Sequence, residues 1–247
     1  MGRVLALANQ KGGVGKTTSA VNLAACLAHA GERTLVVDLD PQANATSGLG
    51  EHANGWSASE LLAGSPVTET ARPTRFPRLD LVPARPALAA ASVDVDGHED
   101  SVASLVEALG AARKHWSFVF VDCPPSLGTL TVAGLAAADA ALVPIQCEYY
   151  ALEGATQLLA SIERIRGGLN PRLAVAGIIL TMADKRTRLS ADVAGEVRRH
   201  FGELVFDAVV PRSVRLAEAP SHGLPITAYD PASAGADAYY AIAKELV

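Results

Sequence analysis

Short apolar runs recur along the chain, and each is followed by a polar or glycine-bearing turn. Val4 to Ala8, Arg33 to Val37, Leu79 to Pro83, Phe118 to Asp122, Ala141 to Ile145, Leu173 to Thr181 and Val205 to Val210 read as strands. The stretches between them carry a helical period. Ser19 to Ala30 ends at Gly31; Glu99 to His115 lines up Val102, Leu105, Val106 and Leu109 on one face. Thr129 to Ala138, Glu153 to Arg166, Ser190 to His200 (with Ser190 as N-cap) and Ala232 to Leu246 complete the long helices. Residues 41–78 are rich in Gly, Ser, Thr and Pro and read as loop, interrupted by one short helix, Ala58 to Ala63. Pro83 to Gly97 is Ala-rich and ambiguous. Strands alternating with helices predict an α/β protein: a doubly wound, mainly parallel sheet with helices on both faces. No linker, low-complexity run or internal repeat divides the chain, so one domain over residues 1–247 is expected.

Composition sharpens this reading. Hydrophobic residues make up 49% of the 247 and aromatics only 5%, so the core is built mostly from Ala, Val and Leu, as parallel strands covered by helices require. The net charge of −5 alone argues against a nucleic-acid partner, but its distribution argues the other way. Arg164 to Arg215 holds ten Lys/Arg and five Asp/Glu, leaving eleven basic and twenty-one acidic residues elsewhere. A local +5 against −10 is the asymmetry of a polyanion-binding surface. Cys26, Cys123 and Cys147 are far apart and form no C-x-x-C pair, which points away from zinc and disulfides. No run has the length of a membrane span, and the N-terminus leads into a strand without a signal-peptide pattern. A cytoplasmic setting is expected.

The candidate chemistry starts at the end of the first strand. Lys11-Gly12-Gly13-Val14-Gly15-Lys16-Thr17-Thr18 lies between that strand and the first helix. Glycines there let backbone N–H groups turn inward around phosphate oxygens, and a helix N-terminus adds partial positive charge. Lys16 is placed to reach the β- and γ-phosphates of a nucleotide, and the Thr17 hydroxyl to ligate Mg²⁺. The general phosphate-loop pattern asks for Gly at position 10; this chain has Gln10, followed by an additional lysine, Lys11.

Two further strands end in carboxylates. Asp122 closes an apolar strand, the position from which Mg²⁺ is held through water. Asp38 and Asp40 stand at the exit of the second strand, where open α/β sheets bind ligands. One suits a second-shell metal partner and the other a water-positioning group or general base; Asp40, preceding Pro41, has the better reach. Lys185, Arg186, Arg188, Arg212 and Arg215 are the candidate contacts to DNA phosphates. No aromatic interleaving or recognition helix accompanies them, so base-specific reading is not expected. The six histidines are scattered, and Ser126 lacks the G-x-S-x-G turn of a nucleophilic serine.

The loop at residues 11–18 resembles the deviant Walker A motif of the ParA/MinD ATPases, a branch of the P-loop NTPase fold. Asp38-Leu39-Asp40-Pro41-Gln42 resembles their A′ motif and Val121-Asp122-Cys123-Pro124-Pro125 their Walker B motif. Glu148 to Gly154 and Pro211 to Ser221 are similar to the chromosomal ParA (Soj) branch, so the resemblance runs nearly end to end. It implies a Mg²⁺-dependent ATPase for chromosome or plasmid partition. The ATP-bound form would be a sandwich homodimer in which Lys11 reaches the partner's phosphates. That dimer would bind DNA without sequence preference, placing the protein on the nucleoid, and a ParB-type protein would stimulate hydrolysis and release. The resemblance makes Asp40 the hydrolytic aspartate, places Pro211 and Ser213 beside the adenine, and matches Arg186 and Arg215 to DNA-contacting positions; the family often has Asn where Ser213 stands. The alternative is a MinD-like, membrane-associated regulator of cell division. It calls for a basic amphipathic C-terminal helix, and Ala238 to Val247 has one Lys and one Glu. An iron–sulfur electron carrier and a small-molecule ligase are further alternatives, the first lacking a cysteine spacing and the second not needing a basic third.

Overall fold

The computed structural model describes residues 2–91, 98–184 and 186–247. Its strands are β1 (Arg3–Leu7), β2 (Thr34–Asp38), β3 (Arg72–Pro73), β4 (Leu79–Val82), β5 (Phe118–Asp122), β6 (Ala140–Gln146) and β7 (Ala174–Thr181). Its α-helices are α1 (Lys16–His29), α2 (Asn44–Gly48), α3 (Ala58–Leu62), α4 (Val67–Thr70), α5 (Leu88–Ala91), α6 (His98–Ala112), α7 (Thr129–Ala137), α8 (Ala151–Gly168), α9 (Arg188–Phe201), α10 (Val214–Glu218), α11 (Ile226–Tyr229) and α12 (Ala234–Leu246).

The sheet order is β3-β4-β2-β5-β1-β6-β7, parallel throughout except for the two-residue edge strand β3. β1 is fully buried from Val4 to Leu7, and β2 is buried along its whole length, because helices cover both faces and every strand residue meets apolar side chains. Two cores result. One holds Val4, Val37, Val119, Leu130, Leu158 and Ile162; the other holds Leu5, Leu23, Phe120, Leu142, Tyr239 and Ile242. Alternate β1 residues feed opposite cores, as the two-residue strand period dictates. The predicted doubly wound parallel sheet is the fold observed.

Several local expectations are corrected. Val205 to Val210 is not a strand. It runs alongside β7 with only isolated bridges, Ile178 to Val205 and Ala183 to Pro211, plus bonds from Phe206 N to Ile178 O and Val210 N to Leu180 O. Phe206 packs over Gly177, where a Cβ would lie 2.4 Å from the ring. The N-cap of α9 is Thr187, whose hydroxyl accepts from Ser190 N; Ser190 is inside the helix and its own hydroxyl accepts from Asp184 N. Residues 41–78 hold α2, α4 and β3 in addition to the expected short helix. Part of the ambiguous stretch, residues 92–97, and Lys185 lie outside the described residues.

Candidate functional site

Register places three strand ends side by side. Leu7 of β1 pairs with Asp122 of β5, and Asp122 pairs with Asp38 of β2. The loop leaving β1 therefore arches over two carboxylates at the carboxyl edge of the sheet. Adjacent strands lie about 4.8 Å apart, so the carboxylates share one small volume.

The arch is pinned at both ends. Asn9, buried, donates from Nδ2 to Pro144 O at 2.7 Å, and its Oδ1 accepts from Lys11 N at 3.0 Å. Thr181, at the end of β7, donates to Val14 O at 2.8 Å. Between these anchors Gly13 (φ 74°) and Gly15 (φ 90°) take left-handed backbone conformations that side chains disfavour. Gly15 caps α1 with no side-chain hydrogen bond, and the first turn holds no acidic residue. The unpaired N–H groups of the helix start thus face the cleft, where they favour an anion.

Lys16 is buried, and its Nζ donates to Lys11 O at 3.1 Å. Burial pulls the Lys16 ammonium below the usual lysine range, while Asp122, Cys123 and Asp40 partly restore it. An incoming phosphate supplies the negative charge this buried cation lacks.

Asp38 and Asp122 are both fully buried but differently answered. Asp38 accepts from Thr46 N at 2.9 Å, Thr46 Oγ1 at 2.7 Å and Asp40 N at 3.1 Å. Burial nevertheless pushes its carboxyl up to about 6, with the Thr46 and Asp40 donors opposing the shift. Neither oxygen of Asp122 has a well-formed hydrogen bond. Burial first, then Asp38, pushes Asp122 well above the ordinary carboxylate range, and the nearby Thr17 hydroxyl only eases it. A buried carboxylate with both oxygens unanswered, beside a hydroxyl, fits a hydrated divalent cation. Among the described residues no group of three or more His, Cys, Asp or Glu could by itself hold a metal ion. A cation that takes few protein ligands and completes its shell with phosphates and water is the one this donor set suits.

Asp40 accepts from Gln42 N at 3.0 Å in a local turn and lines a cleft of about 480 Å³ with Gly12, Gly13, Lys16, Thr17, Pro125 and Met182. An adjoining hollow of about 270 Å³ is lined by Gly15, Thr18, Met182, Pro211, Ser213 and Tyr239. The two share Gly15, Thr18, Met182, Leu216 and Ala217 and wrap one loop. Pro211 and Ser213 thus stand against the phosphate-loop helix although they follow it by about two hundred residues. The Ser213 hydroxyl is used as the N-cap of α10, accepting from Leu216 N.

Each of the four described arginines among the predicted basic contacts is ion-paired within the chain. Arg186 pairs with Asp184 at 2.8 Å, Arg188 with Asp192 at 3.6 Å, Arg212 with Glu148 at 3.6 Å, and Arg215 with both Glu218 at 3.2 Å and Asp230 at 3.4 Å. All four arginines remain solvent-accessible. Asp184 and Asp192 are already counted in the net +5 of the basic third; Glu148, Glu218 and Asp230 come from outside it and offset part of that excess where it stands. Lys185 is outside the described residues.

Asn9, Thr46, Thr181 and Met182 shape the site without having been picked out from the sequence. Asn9 carried a local signal, standing two residues before the turn it closes. Thr46 carried none: Asp38 lies across an irregular eight-residue segment and Ala84 is distant in the chain. Met182 is the third case: φ of 53° marks a strained backbone at the join of the two hollows, which no residue type announces.

A phosphate loop between a central strand and a buried helix, with carboxylates on the neighbouring strand ends, defines a P-loop nucleotide-hydrolysing protein of the deviant Walker type. The family model described as "AAA domain" matches residues 2–175. The chain is 51% identical over 245 residues to the chromosome-partitioning ATPase Soj of Thermus thermophilus, covering 99% of this chain and 95% of that protein. It is 49% identical over 250 residues to the chromosome partitioning protein ParA of Caulobacter vibrioides, covering 99% and 94%. Among solved structures, the cobyrinic acid a,c-diamide synthase of Mycobacterium smegmatis with bound ADP and magnesium superposes with a TM-score of 0.85 at 36% identity, covering 100% of this chain and 94% of that one. The chain belongs to the ParA/Soj family of chromosome-partitioning ATPases, and its reaction is the hydrolysis of ATP to ADP and phosphate.

Proposed function

We propose that this chain is an ATP-driven partition switch: ATP binding makes a sandwich homodimer that binds DNA without sequence preference, and hydrolysis releases it. The observation that carries the reading is the division of labour between two lysines on one loop. Lys16 is buried beneath the arch and turned to the loop's own interior. Lys11 is exposed, its side chain 57% accessible, and pairs with Glu148 instead of turning into the loop. In this reading it serves a nucleotide bound by a second copy.

In this reading Gly12 to Thr18 cradle the phosphates and Lys16 neutralises the β- and γ-phosphate charge. Thr17 and Asp122 hold Mg²⁺, with Asp38 shaping the Asp122 side of the site. The ion, when bound, screens the charge that develops between the β- and γ-phosphates. Asp40, at the cleft and not committed to the sheet, orients the attacking water and accepts its proton. Pro211 and Ser213 flank the adenine. Arg186, Arg188, Arg212 and Arg215, with Lys185, contact DNA phosphates. A ParB-type protein stimulates turnover, and the protein works in the cytoplasm on the nucleoid. Residues 1–247 act as one ATPase domain.

The C-terminal helix supports this reading over the membrane-bound alternative. Tyr239, Ile242 and Leu246 of α12 are buried in the core shared with α1, so its apolar face is already used. None of the described helices is long and apolar enough to cross a membrane.

Lys11→Ala tests the reading. The variant should keep substantial ATP binding yet lose both the ATP-dependent dimer and hydrolysis. A dimer that forms normally would make Lys11 an ordinary loop lysine.

A further inference from the structure

Glu148 stands where β6 ends and α8 has not begun, and nothing above gives it a task. Its two carboxylate oxygens face three groups. Lys11 Nζ lies 3.2 Å from Oε2; Gln146 Nε2 donates to Oε1 at 2.5 Å; Arg212 Nη2 lies 3.6 Å from Oε1. One carboxylate therefore joins the lysine of the phosphate loop, the loop that follows Val210, and the end of β6. Lys11 and Glu148 are 137 residues apart in sequence, and Lys11 N is itself fixed by Asn9. The backbone of Lys11 is thus held while its side chain has a single charged partner among the described residues.

We propose that Glu148 is a positioning residue for Lys11. It holds the ammonium off its own phosphate loop and aimed outward, and it surrenders Lys11 to the phosphates of a second copy's nucleotide when the dimer closes. This rests on the reading that Lys11 serves the partner's nucleotide. The exchange is cheap because Glu148 is not stranded when Lys11 leaves: Gln146 and Arg212 still answer it on the other oxygen. Both members of the pair are about half exposed, so the contact biases Lys11 without locking it. Tyr149 and Tyr150, directly following, are 77% and 69% exposed and stacked edge to face at 5.1 Å, leaving the ground around the pair open to an approaching copy.

Releasing Lys11 must come before, or with, its capture, so the pair opposes dimer formation. Glu148→Gln keeps the size while removing the charge and one of the two acceptor oxygens. It should lower the dissociation constant of the ATP-bound dimer about two- to five-fold, the range of an exposed ion pair. In the nucleotide-free protein the side-chain ¹⁵Nζ resonance absent from Lys11→Ala should shift in Glu148→Gln; a role confined to supporting the loop after β6 would leave it in place. Both effects together support the proposal. An unmoved resonance overturns it, as does a shifted resonance with an unchanged or weaker dimer. A Lys11→Ala protein that dimerises like the wild type overturns instead the reading on which the proposal rests, and the ¹⁵N shift distinguishes the two failures.

Discussion

Asp38 and Asp122 stand opposite one another at the ends of adjacent parallel strands, yet Asp38 accepts three well-formed hydrogen bonds and Asp122 none. Three donors from the 40–46 segment converge on Asp38, whereas Asp122 faces the phosphate loop with both oxygens unpaired. Two buried carboxylates in one volume destabilise the nucleotide-free protein once both ionise, and they create the demand that a cation and a phosphate chain fulfil. Binding of a cation and a phosphate chain would relieve that repulsion.

That asymmetry predicts an inverse effect of Asp122→Asn. Removing the unanswered charge should stabilise the nucleotide-free chain by about 1–3 kcal/mol, or roughly 2–4 °C per kcal/mol for a chain of this size. The same change should abolish the further stabilisation by Mg²⁺ and ATP. Thermal melts with and without Mg²⁺-ATP check both halves, and a variant less stable without ligand than the wild type would contradict the account.

A pH dependence follows from the same pair. Both carboxyls are raised above the unfolded value of about 3.9, Asp38 to about 6. Between those limits the native state holds more protons than the unfolded one, so these groups favour folding at low pH. Their contribution is lost as pH rises through the native values. Urea unfolding between pH 4.5 and 7.5 should show a smaller pH-dependent loss in Asp122→Asn than in the wild type. Identical profiles would mean that the Asp122 carboxyl is not raised in the native state.

Thr46 offers a structural test away from the phosphates. Its hydroxyl donates to Asp38 and accepts from Ala84 N at 2.9 Å, linking β2 to the segment after β4. Thr46→Val keeps the shape and removes both bonds, so it should cost about 1–3 kcal/mol in urea unfolding at neutral pH and push the Asp38 carboxyl further up. Loss below ~0.5 kcal/mol would show that the bonds are replaced by water.

Asp40→Ala should separate binding from turnover. ATP binding and the dimer should persist while the hydrolysis rate falls on the order of 10²–10⁴-fold, the size of a general-base contribution. Near-normal turnover would remove Asp40 from the reaction.

The sheet was legible because parallel strands buried on both faces must be continuous apolar runs, and six of the seven expected were found as strands. The failures have specific causes. Val205 to Val210 has the composition of a strand but makes only isolated bridges to β7. β3 is two residues long and contains Pro73, so no period could show it. At the site, Gly13, Gly15 and Lys16 were readable because local geometry dictates them. Thr181 and the pairing of Glu148 with Lys11 were not, because those partners arrive only when the fold closes. The charge excess of residues 164–215 was readable, but its pairing with Asp184, Asp192, Glu148, Glu218 and Asp230 was not.

That pairing shapes the expectation for Arg215→Glu. DNA phosphates must displace Glu218 and Asp230 from Arg215, so affinity should fall while the ATP-dependent dimer survives. The slope of log affinity against log salt should drop by about 1 for each phosphate contact removed. Unchanged DNA binding would assign the contact to other basic residues.

The central claim is that ATP governs DNA binding. Binding of the full chain to unrelated duplexes of equal length, measured with ATP and Mg²⁺, with ADP and Mg²⁺, and without nucleotide, tests it most directly. The account predicts tight, salt-sensitive, sequence-indifferent binding with ATP alone. Equal affinity in all three states would contradict it.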